Sequence, residues 1–378
     1  MLNKNKEKGI TLVALVITIV ILLILATISI QSLTNTGLFQ KANEAKEKTK
    51  NAEENQAKTL NEYEDELNKY ISGNVKTPIK KVTDNIDSVL STTDNTELED
   101  AYGNKIVVPA GFKIVSNSDT SNATTVDKGI VIEDATSAAT AGSQFVWVPV
   151  GKIYTDEQKT ESKAKTITLG RYDFDETTGV EKPYSGSYVE EDKGDTNTTL
   201  KNYGNTTAKN ITNFKNSVTS NGGYYIGRYE ARKNSSGTVT EVGTDTVWNL
   251  ITQPEAADKA QKMYNSSNFI SDLINSYAWD TTITFIQKCT DQTKYSRQKS
   301  LNTSLSQTGT TNDIQCNIFD MTSNVWEFTT ETPNNSNIPC VGRGGYFFGK
   351  DFYTSYRGSI TNHESYDYIG FRPIIYIN

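Results

Sequence analysis

One histidine and three cysteines limit the chemistry that this chain can perform. A Ser-His-Asp or Cys-His site would need His363 as its base, and a metal site with two histidine ligands is excluded. Cys289, Cys316 and Cys340 form no CxxC motif, which excludes zinc ribbons and thioredoxin-type centres. The simplest interpretation is three small buried residues, and one disulfide with an odd thiol is the alternative.

Composition indicates a folded, mildly acidic protein. The 378 residues predict two or three regions, and an aromatic content of 10% is enough for at least one core. There are 45 acidic against 38 basic residues, which gives a net charge of -7. Because a nucleic-acid-binding surface needs clustered lysine and arginine, nucleic acid is not an expected partner.

The N-terminal region has the pattern of a membrane helix. A segment containing Lys4, Lys6 and Lys8 precedes residues 10–30, which contain no charged side chain. A helix of that length spans about 31 Å, the thickness of the hydrocarbon core of a bilayer. The flanking lysines predict an N-terminus in the cytoplasm, with everything after residue 30 outside. The apolar stretch is too long for a conventional signal peptide. A plain signal anchor is the alternative.

Residues 31–72 are predicted to continue as an amphipathic helix. The segment is rich in alanine, glutamate, lysine and leucine, which are strong helix formers. Leu60, Tyr63, Leu67 and Tyr70 recur at spacings of three and four and therefore share one face. Gly73 is a helix stop, so residues 73–89 are predicted as a linker and residues 90–378 as the head.

The junction Lys8-Gly9-Ile10 and the helix after it resemble a type IV prepilin. The resemblance implies a bacterial protein with a leader at residues 1–9, cleaved between Gly9 and Ile10 by a prepilin peptidase. It also implies a transmembrane helix at 10–30, a spine at 31–72 and other pilin subunits as partners. Ala14 stands where pilins usually carry a glutamate, which suits a tip or minor subunit, or a protein that never polymerises. The expected location is the cytoplasmic membrane, with the head outside, at the cell surface or on a pilus.

The head is predicted to be α+β. Short runs rich in β-branched and aromatic residues lie between long polar insertions, and 151–221 is the longest of these insertions. The predicted strands cover 105–108, 112–115, 129–133, 144–150, 224–229 and 371–377. The predicted helices cover 245–261 and 275–289. Many short strands, much loop and two helices are typical of an α+β domain.

Four phrases of the head together resemble the formylglycine-generating-enzyme (sulfatase-modifying factor) family. They are GGYYIGRYE at 222–230, FDMTSNVWEFT at 319–329, RGGY at 343–346 and IGFRP at 369–373. The resemblance implies a loop-rich variant of the C-type lectin fold. We therefore expect a long N-terminal membrane and amphipathic helix followed by a C-type-lectin-like head. The aromatic, glycine and arginine residues of the four phrases are expected mainly to hold that fold.

The active members of that family use a reactive cysteine pair between the RGG and GFR phrases. The corresponding residues here, 346–369, contain no cysteine, and Thr354 lies near the position of the catalytic one. Without a thiolate the redox and copper chemistry lacks its nucleophile and soft ligand, so we expect no enzyme activity. The resemblance also implies a calcium site at Asn324 and Glu327, although Ser323 replaces the usual glycine. A Glu327–arginine pair is the alternative.

The composition of residues 346–369 favours recognition. Tyrosine together with small polar residues is typical of an adaptable binding surface, and the fold resemblance places this region toward ligand. The predicted ligand-binding residues are Tyr346, Phe348, Tyr353, Tyr356, Asn362, Tyr366 and Tyr368. The resemblance also allows for diversification of this stretch by a retroelement. The alternative is that half of these aromatics belong to the core.

These observations favour a non-enzymatic, surface-displayed pilin-like subunit whose head binds an extracellular protein or glycan. One alternative is a membrane-tethered enzyme of the formylglycine-generating family. The other is a purely structural filament subunit.

Overall fold

A computed structural model of the chain describes most of the sequence. The described residues are 12–35, 38–71, 79–115, 124–136, 139–190, 208–233, 239–240, 247–333, 337–349 and 351–378. The chain divides into two compact units, Met1–Pro78 and Ile79–Asn378. The predicted cleavage site at Gly9 and Ile10 lies outside the described residues.

The first unit contains two helices, α1 (Leu12–Asn35) and α2 (Leu38–Ile71). The prediction of one continuous N-terminal helix is therefore wrong. Gly37 falls between the two helices in sequence, and glycine is among the least favourable residues in a helix interior. Leu60 and Tyr63, two of the residues that were predicted to share one helix face, are both exposed.

The prediction of a transmembrane segment at 10–30 is also wrong. Within the described part of the chain, no helix combines the length and the apolar character needed to cross a membrane. The predicted single-pass location in the cytoplasmic membrane depended on this segment and is therefore wrong as well.

Among the described residues, the second unit contains three further α-helices, three short 3-10 helices and all the strands. The helices are α3 (Ile211–Asn221), α4 (Gln253–Lys262) and α5 (Ser276–Cys289). The first eleven strands are β1 (Lys80–Lys81), β2 (Thr96–Glu99), β3 (Lys105–Val108), β4 (Phe112–Ile114), β5 (Val131–Asp134), β6 (Gln144–Pro149), β7 (Gly151–Ile153), β8 (Lys165–Ile167), β9 (Tyr172–Phe174), β10 (Glu181–Pro183) and β11 (Gly223–Gly227). The remaining strands are β12 (Arg232–Lys233), β13 (Val239–Thr240), β14 (Phe269–Leu273), β15 (Ile314–Gln315), β16 (Ile318–Phe319), β17 (Trp326–Phe328), β18 (Cys340–Arg343), β19 (Arg357–Ile360), β20 (Ile369–Phe371) and β21 (Pro373–Ile377).

The centre of the second unit is a six-stranded antiparallel sheet. Its strand order is β14-β21-β11-β6-β5-β4. Every residue of β11 and β21 is buried, which explains why these strands read as continuous apolar runs and not as alternating ones. Helix α3 packs on β11 and β21, α4 on β14, and α5 on β6 and β8.

A second, four-stranded sheet carries the candidate site. Its order is β19-β18-β17-β20, with β17 and β20 parallel and the other pairs antiparallel. Arg372, between β20 and β21, joins the two sheets. Its guanidinium binds the Glu327 carboxylate of β17 and donates to the carbonyl of Gly227, at the end of β11, at 2.9 Å. The orientation of the smaller sheet is therefore fixed by a buried ion pair.

Side-chain caps define where the helices begin. The Asn275 side chain accepts a hydrogen bond from the amide of Ala278 at 2.9 Å and starts α5, so the predicted helix at 275–289 is confirmed. Thr252 and Glu255 form a capping box at the start of α4. The predicted helix at 245–261 was therefore placed too early, because Pro254 belongs to the first turn of α4 and does not interrupt the helix.

The predicted fold class is wrong as a whole. We expected an α+β fold led by a long N-terminal helix and followed by a loop-rich C-type-lectin-like head. The described residues instead form 21 strands in seven sheets, with five α-helices. Many of these strands are only two or three residues long and give no readable alternation in the sequence. The longer runs that were predicted as strands coincide with β3, β4, β5, β6, β11 and β21.

Candidate ligand-binding face

Trp326, the first residue of β17, lies at the centre of an aromatic cluster. Its ring is 8% exposed. The ring centroids of Tyr346 and Phe352 lie 5.1 Å and 4.9 Å from it in edge-to-face contacts, and Tyr356 stacks on it at 5.7 Å. Tyr368 contacts it from 6.3 Å. Such contacts add stabilisation beyond the burial of area, so the indole anchors the residues around it.

Two glycines leave the space that the indole occupies. Gly342 of β18 and Gly358 of β19 are direct partners in the antiparallel ladder. A Cβ at Gly358 would lie 2.7 Å from Cη2 of Trp326, and one at Gly342 would lie 3.2 Å from its Cε3. The Trp326 ring therefore packs directly on the strand backbone at this ladder position.

An outer ring of aromatics covers this centre. Tyr366 stacks on Tyr368 at 4.9 Å, Tyr346 lies 5.2 Å from Tyr368, and Tyr353 lies 5.8 Å from Tyr356. All five tyrosines are partly exposed. Phe348 is 79% exposed. We call these six side chains the tyrosine face: Tyr346, Phe348, Tyr353, Tyr356, Tyr366 and Tyr368.

The raised pKa values of four tyrosines, Tyr346, Tyr356, Tyr366 and Tyr368, keep their hydroxyls neutral near physiological pH. Burial raises the pKa of Tyr346, Tyr356 and Tyr368 above the ordinary value. A hydrogen bond to Glu364 raises the pKa of Tyr366. Neutral hydroxyls both donate and accept hydrogen bonds, so the face combines apolar ring area with adaptable polar groups.

Five of the seven predicted ligand residues, all of them tyrosines, thus lie in one cluster. Phe348 is exposed in the loop that carries Tyr346 and Tyr353, and the seventh residue differs. Asn362 is only 6% exposed, and its Oδ1 lies 3.4 Å from Nδ1 of His363. The alternative interpretation, that half of these aromatics belong to the core, also applies to several residues of the tyrosine face. Tyr346, Tyr356, Tyr366 and Tyr368 pack with one side against the core and leave the other side to solvent.

One further residue, Arg297, contacts the face from a distant part of the sequence. Tyr184 and Tyr188 contact strand β19 next to it, and none of the three was predicted. The guanidinium of Arg297 lies 3.7 Å from the ring centroid of Tyr353. The Tyr188 hydroxyl lies 2.8 Å from Oγ of Ser359, and the Tyr184 hydroxyl accepts a hydrogen bond from the Tyr188 amide at 3.2 Å. Tyr184 and Tyr188 belong to the polar insertion at 151–221, where nothing in the sequence distinguishes them from other loop tyrosines.

A buried charge network lies behind the face. The Arg343 guanidinium binds Asp280 of α5 and Glu331, the latter at 3.3 Å. The Arg357 guanidinium binds the same two carboxylates, and Arg171 also binds Glu331. Burial, together with the nearby Arg357, lowers the pKa of Arg343. Burial also opposes ionisation of Arg357, but Asp280 and Glu331 raise its pKa overall. Because ion pairs cross-link these three guanidinium groups and two carboxylates, the network is a rigid support for β18 and β19.

The predicted calcium ligands have protein partners. The Glu327 carboxylate accepts hydrogen bonds from Arg372 at 3.0 Å through both oxygens. The Asn324 side chain donates to Glu230 and accepts from the Ser306 amide at 2.8 Å. Within the described residues, no group of three or more histidine, cysteine, aspartate or glutamate side chains is placed to hold a metal ion. The described geometry at Glu327 is that of the alternative, a carboxylate–arginine pair.

The position near that expected for a catalytic cysteine is not accessible to solvent. Thr354 is fully buried, and its hydroxyl donates to the Tyr295 carbonyl at 2.8 Å. The Trp279 indole donates to the Thr354 carbonyl at 2.9 Å. The three cysteines are unpaired thiols, and burial raises the pKa of Cys289 to about 12 and that of Cys316 well above its ordinary value. Neither thiol is activated as a nucleophile.

Comparisons with protein-family models, curated proteins and solved structures find no match to this chain. The resemblances to prepilins and to the formylglycine-generating-enzyme family therefore stay predictions. So do the expected prepilin peptidase and pilin-subunit partners.

Proposed function

We propose that the unit Ile79–Asn378 is a non-enzymatic binding module that takes its ligand on the tyrosine face. The observation that carries the proposal is the two-sided arrangement around Trp326. Each of its tyrosine partners packs one side against the core and leaves the rest of its ring to solvent. Rings that are already held in place lose little side-chain entropy on binding, which favours affinity.

The exposure of Phe348 supports the same function. A phenylalanine that is 79% exposed contributes little to folding, whereas it contributes apolar area to an interface. It lies in the loop between β18 and β19 that also carries Tyr346 and Tyr353. An aromatic centre rimmed by hydroxyls is typical of a recognition surface.

An enzyme of the formylglycine-generating family is the less supported alternative. Thr354 is not a thiol and is buried, and the two thiols with described pKa shifts are held protonated. Incubation of the full chain with a cysteine-containing sulfatase peptide tests this alternative, because formation of formylglycine would show that the chain has the activity.

The test of the proposed function is a binding screen of the full chain against arrays of purified proteins and of glycans. Phe348→Ser and Tyr353→Ser are the test variants, and Tyr102→Ser, in the turn between β2 and β3, is the matched control. We expect the wild type and the control to bind the same probe, and each test variant to bind it about tenfold or more weakly. A screen without a specific probe, or test variants that bind as the wild type does, would overturn the proposal.

A further inference from the structure

Leu250 is an exposed leucine in a conformation that leucine rarely adopts. Its φ is 51°, in the left-handed region, and its side chain is 64% exposed. The conformation is disfavoured for a residue with a Cβ, so its surroundings must hold it. The Leu250 amide donates to the Tyr366 carbonyl at 3.1 Å, and the Asn249 side chain donates to the Asp367 carbonyl at 2.6 Å. The structure thus holds a strained leucine beside the tyrosine face.

Two carboxylates lie at the same edge. Glu364 and Asp367 are exposed and lie close in sequence to the stacked Tyr366 and Tyr368. The Glu364 carboxylate accepts hydrogen bonds from the Tyr366 hydroxyl and, at 3.2 Å, from the Thr361 hydroxyl. Among the described ion pairs, none involves Glu364 or Asp367. We call this edge the acidic corner: Leu250, Glu364, Tyr366, Asp367 and Tyr368.

The same chain shows what such a group of side chains binds. Behind the face, the Arg357 guanidinium lies 4.2 Å from the ring centroid of Tyr184 and pairs with the Glu331 carboxylate at 3.1 Å. Arg171 lies 4.5 Å from the same ring and pairs with the same carboxylate. Two guanidinium groups of this protein thus lie against one tyrosine ring and pair with the carboxylate beside it. The acidic corner offers rings and carboxylates of the same kind, turned toward solvent.

We propose that the acidic corner binds an arginine side chain presented by a protein partner. The guanidinium stacks on the Tyr366–Tyr368 pair and is attracted by Glu364 and Asp367, while the aliphatic stem packs against Leu250. The inference rests on the proposed function of the tyrosine face and narrows its ligand to a polypeptide with exposed arginine. Leu250 favours a polypeptide over a glycan, because its side chain offers no hydrogen bond to sugar hydroxyls.

The test measures the affinity of the full chain for two fluorescent octapeptides of alternating glycine with arginine or with lysine. We expect the arginine peptide to bind saturably. The lysine peptide should bind at least about threefold more weakly, because an ammonium group is not planar and cannot stack on the tyrosine rings as a guanidinium does. Glu364→Gln combined with Asp367→Asn should weaken binding of the arginine peptide about tenfold. Glu157→Gln, in the loop between β7 and β8, is the control for removal of an exposed charge and should leave binding unchanged.

Leu250→Gly separates binding from folding. Glycine adopts a positive φ without cost, so the variant should melt at the same temperature as the wild type or higher. Its affinity for the arginine peptide should nevertheless fall several-fold, because the apolar contact is lost. A structural role for Leu250 would instead lower the melting temperature and leave the affinity unchanged.

Three results would overturn the inference: no binding of the arginine peptide, equal binding of both peptides, or full binding by the double variant. The array screen shows separately whether the proposed function holds. If an array probe depends on Phe348 and Tyr353 but not on Glu364 and Asp367, the tyrosine face binds its ligand without the acidic corner. The function then stands and the arginine inference fails.

Discussion

Gly342 and Gly358 lie opposite each other in the ladder between β18 and β19, and the indole of Trp326 lies over both. A side chain at either position would project into the ring. The position of Trp326, on which the tyrosine face packs, is therefore set by backbone and not by a side-chain pocket.

Gly358→Ala should destabilise the second unit more than Gly342→Ala does. The new Cβ at 358 would lie 2.7 Å from the indole and force it to move, whereas the Cβ at 342 would lie 3.2 Å away. Overpacking of this kind costs about 1–3 kcal/mol. Urea unfolding of the two variants gives the comparison. Equal and small losses would mean that the ring does not rest on this pair.

Truncation of the aromatics should separate the centre of the face from its rim. Trp326→Ala should reduce the free energy of unfolding by about 3–5 kcal/mol through the cavity that it leaves. Phe348→Ser, at an exposed position, should change it by less than about 0.5 kcal/mol. Tyr356→Ser should fall between the two, at about 1–2 kcal/mol, because half of its ring packs on Trp326. Thermal and urea unfolding of the three variants measures the order, and a loss at Phe348 as large as that at Trp326 would contradict it.

The sequence was informative where residues are buried on both sides. The runs that became β6, β11 and β21 were readable because both faces of the central sheet are covered. The N-terminal region was misjudged, because an uncharged run shows only that a segment is apolar.

The candidate site was predictable only within one stretch. Composition, together with the family resemblance of the phrases on either side, singled out residues 346–369. It could not find Tyr188 or Leu250, because a hydroxyl contact across 171 residues and a positive φ have no local signal in the sequence. It also could not separate the packed side of Tyr356 from its open side, because that division depends on where Trp326 lies.

The stability of the second unit should fall as the pH rises from about 4 to about 7. Burial raises the pKa of Asp320 from its ordinary 3.8 to about 7, although hydrogen bonds from Thr311 and Gly309 oppose the shift. Burial also raises the pKa of Asp272 to about 6. In this range the unfolded chain releases protons that the folded chain retains, so the unfolded state is favoured.

Asp320→Asn isolates the contribution of one group to this pH dependence. Asparagine has the same shape and tolerates the φ of 63° at this position. The variant should lose less stability than the wild type between pH 4 and pH 7, by about 2–4 kcal/mol. Urea unfolding across this range is the measurement. Parallel profiles for the two proteins would show that Asp320 is ionised in the folded state.

Glu327→Gln should cost about 3–5 kcal/mol, because it leaves the buried Arg372 without its counter-charge. The loss should be the same in EDTA and in excess calcium, since the carboxylate binds a guanidinium. Melting curves under both conditions distinguish an arginine partner of Glu327 from a calcium ion. Calcium that stabilises the wild type and not the variant would restore the metal site predicted from the sequence.

The unit Ile79–Asn378 should fold without the helices that precede it. All residues of its apolar core lie at or after Val82. A chain beginning at residue 79 should give one cooperative thermal transition, with the near-ultraviolet circular dichroism of fixed aromatic side chains. Loss of that signal would indicate that the first unit completes the core.

The central sheet also constrains the order in which the protein can assemble during synthesis. Strand β21 follows every other strand along the chain, yet it lies inside the sheet, between β14 and β11. On the ribosome, β11 and β14 therefore emerge with their shared neighbour still unmade. The nascent polypeptide must wait with unpaired strand edges until residue 377 has left the exit tunnel. We expect arrest of translation before β21 to yield a chain that chaperones retain and that proteases cleave, however much of the tyrosine face has already emerged.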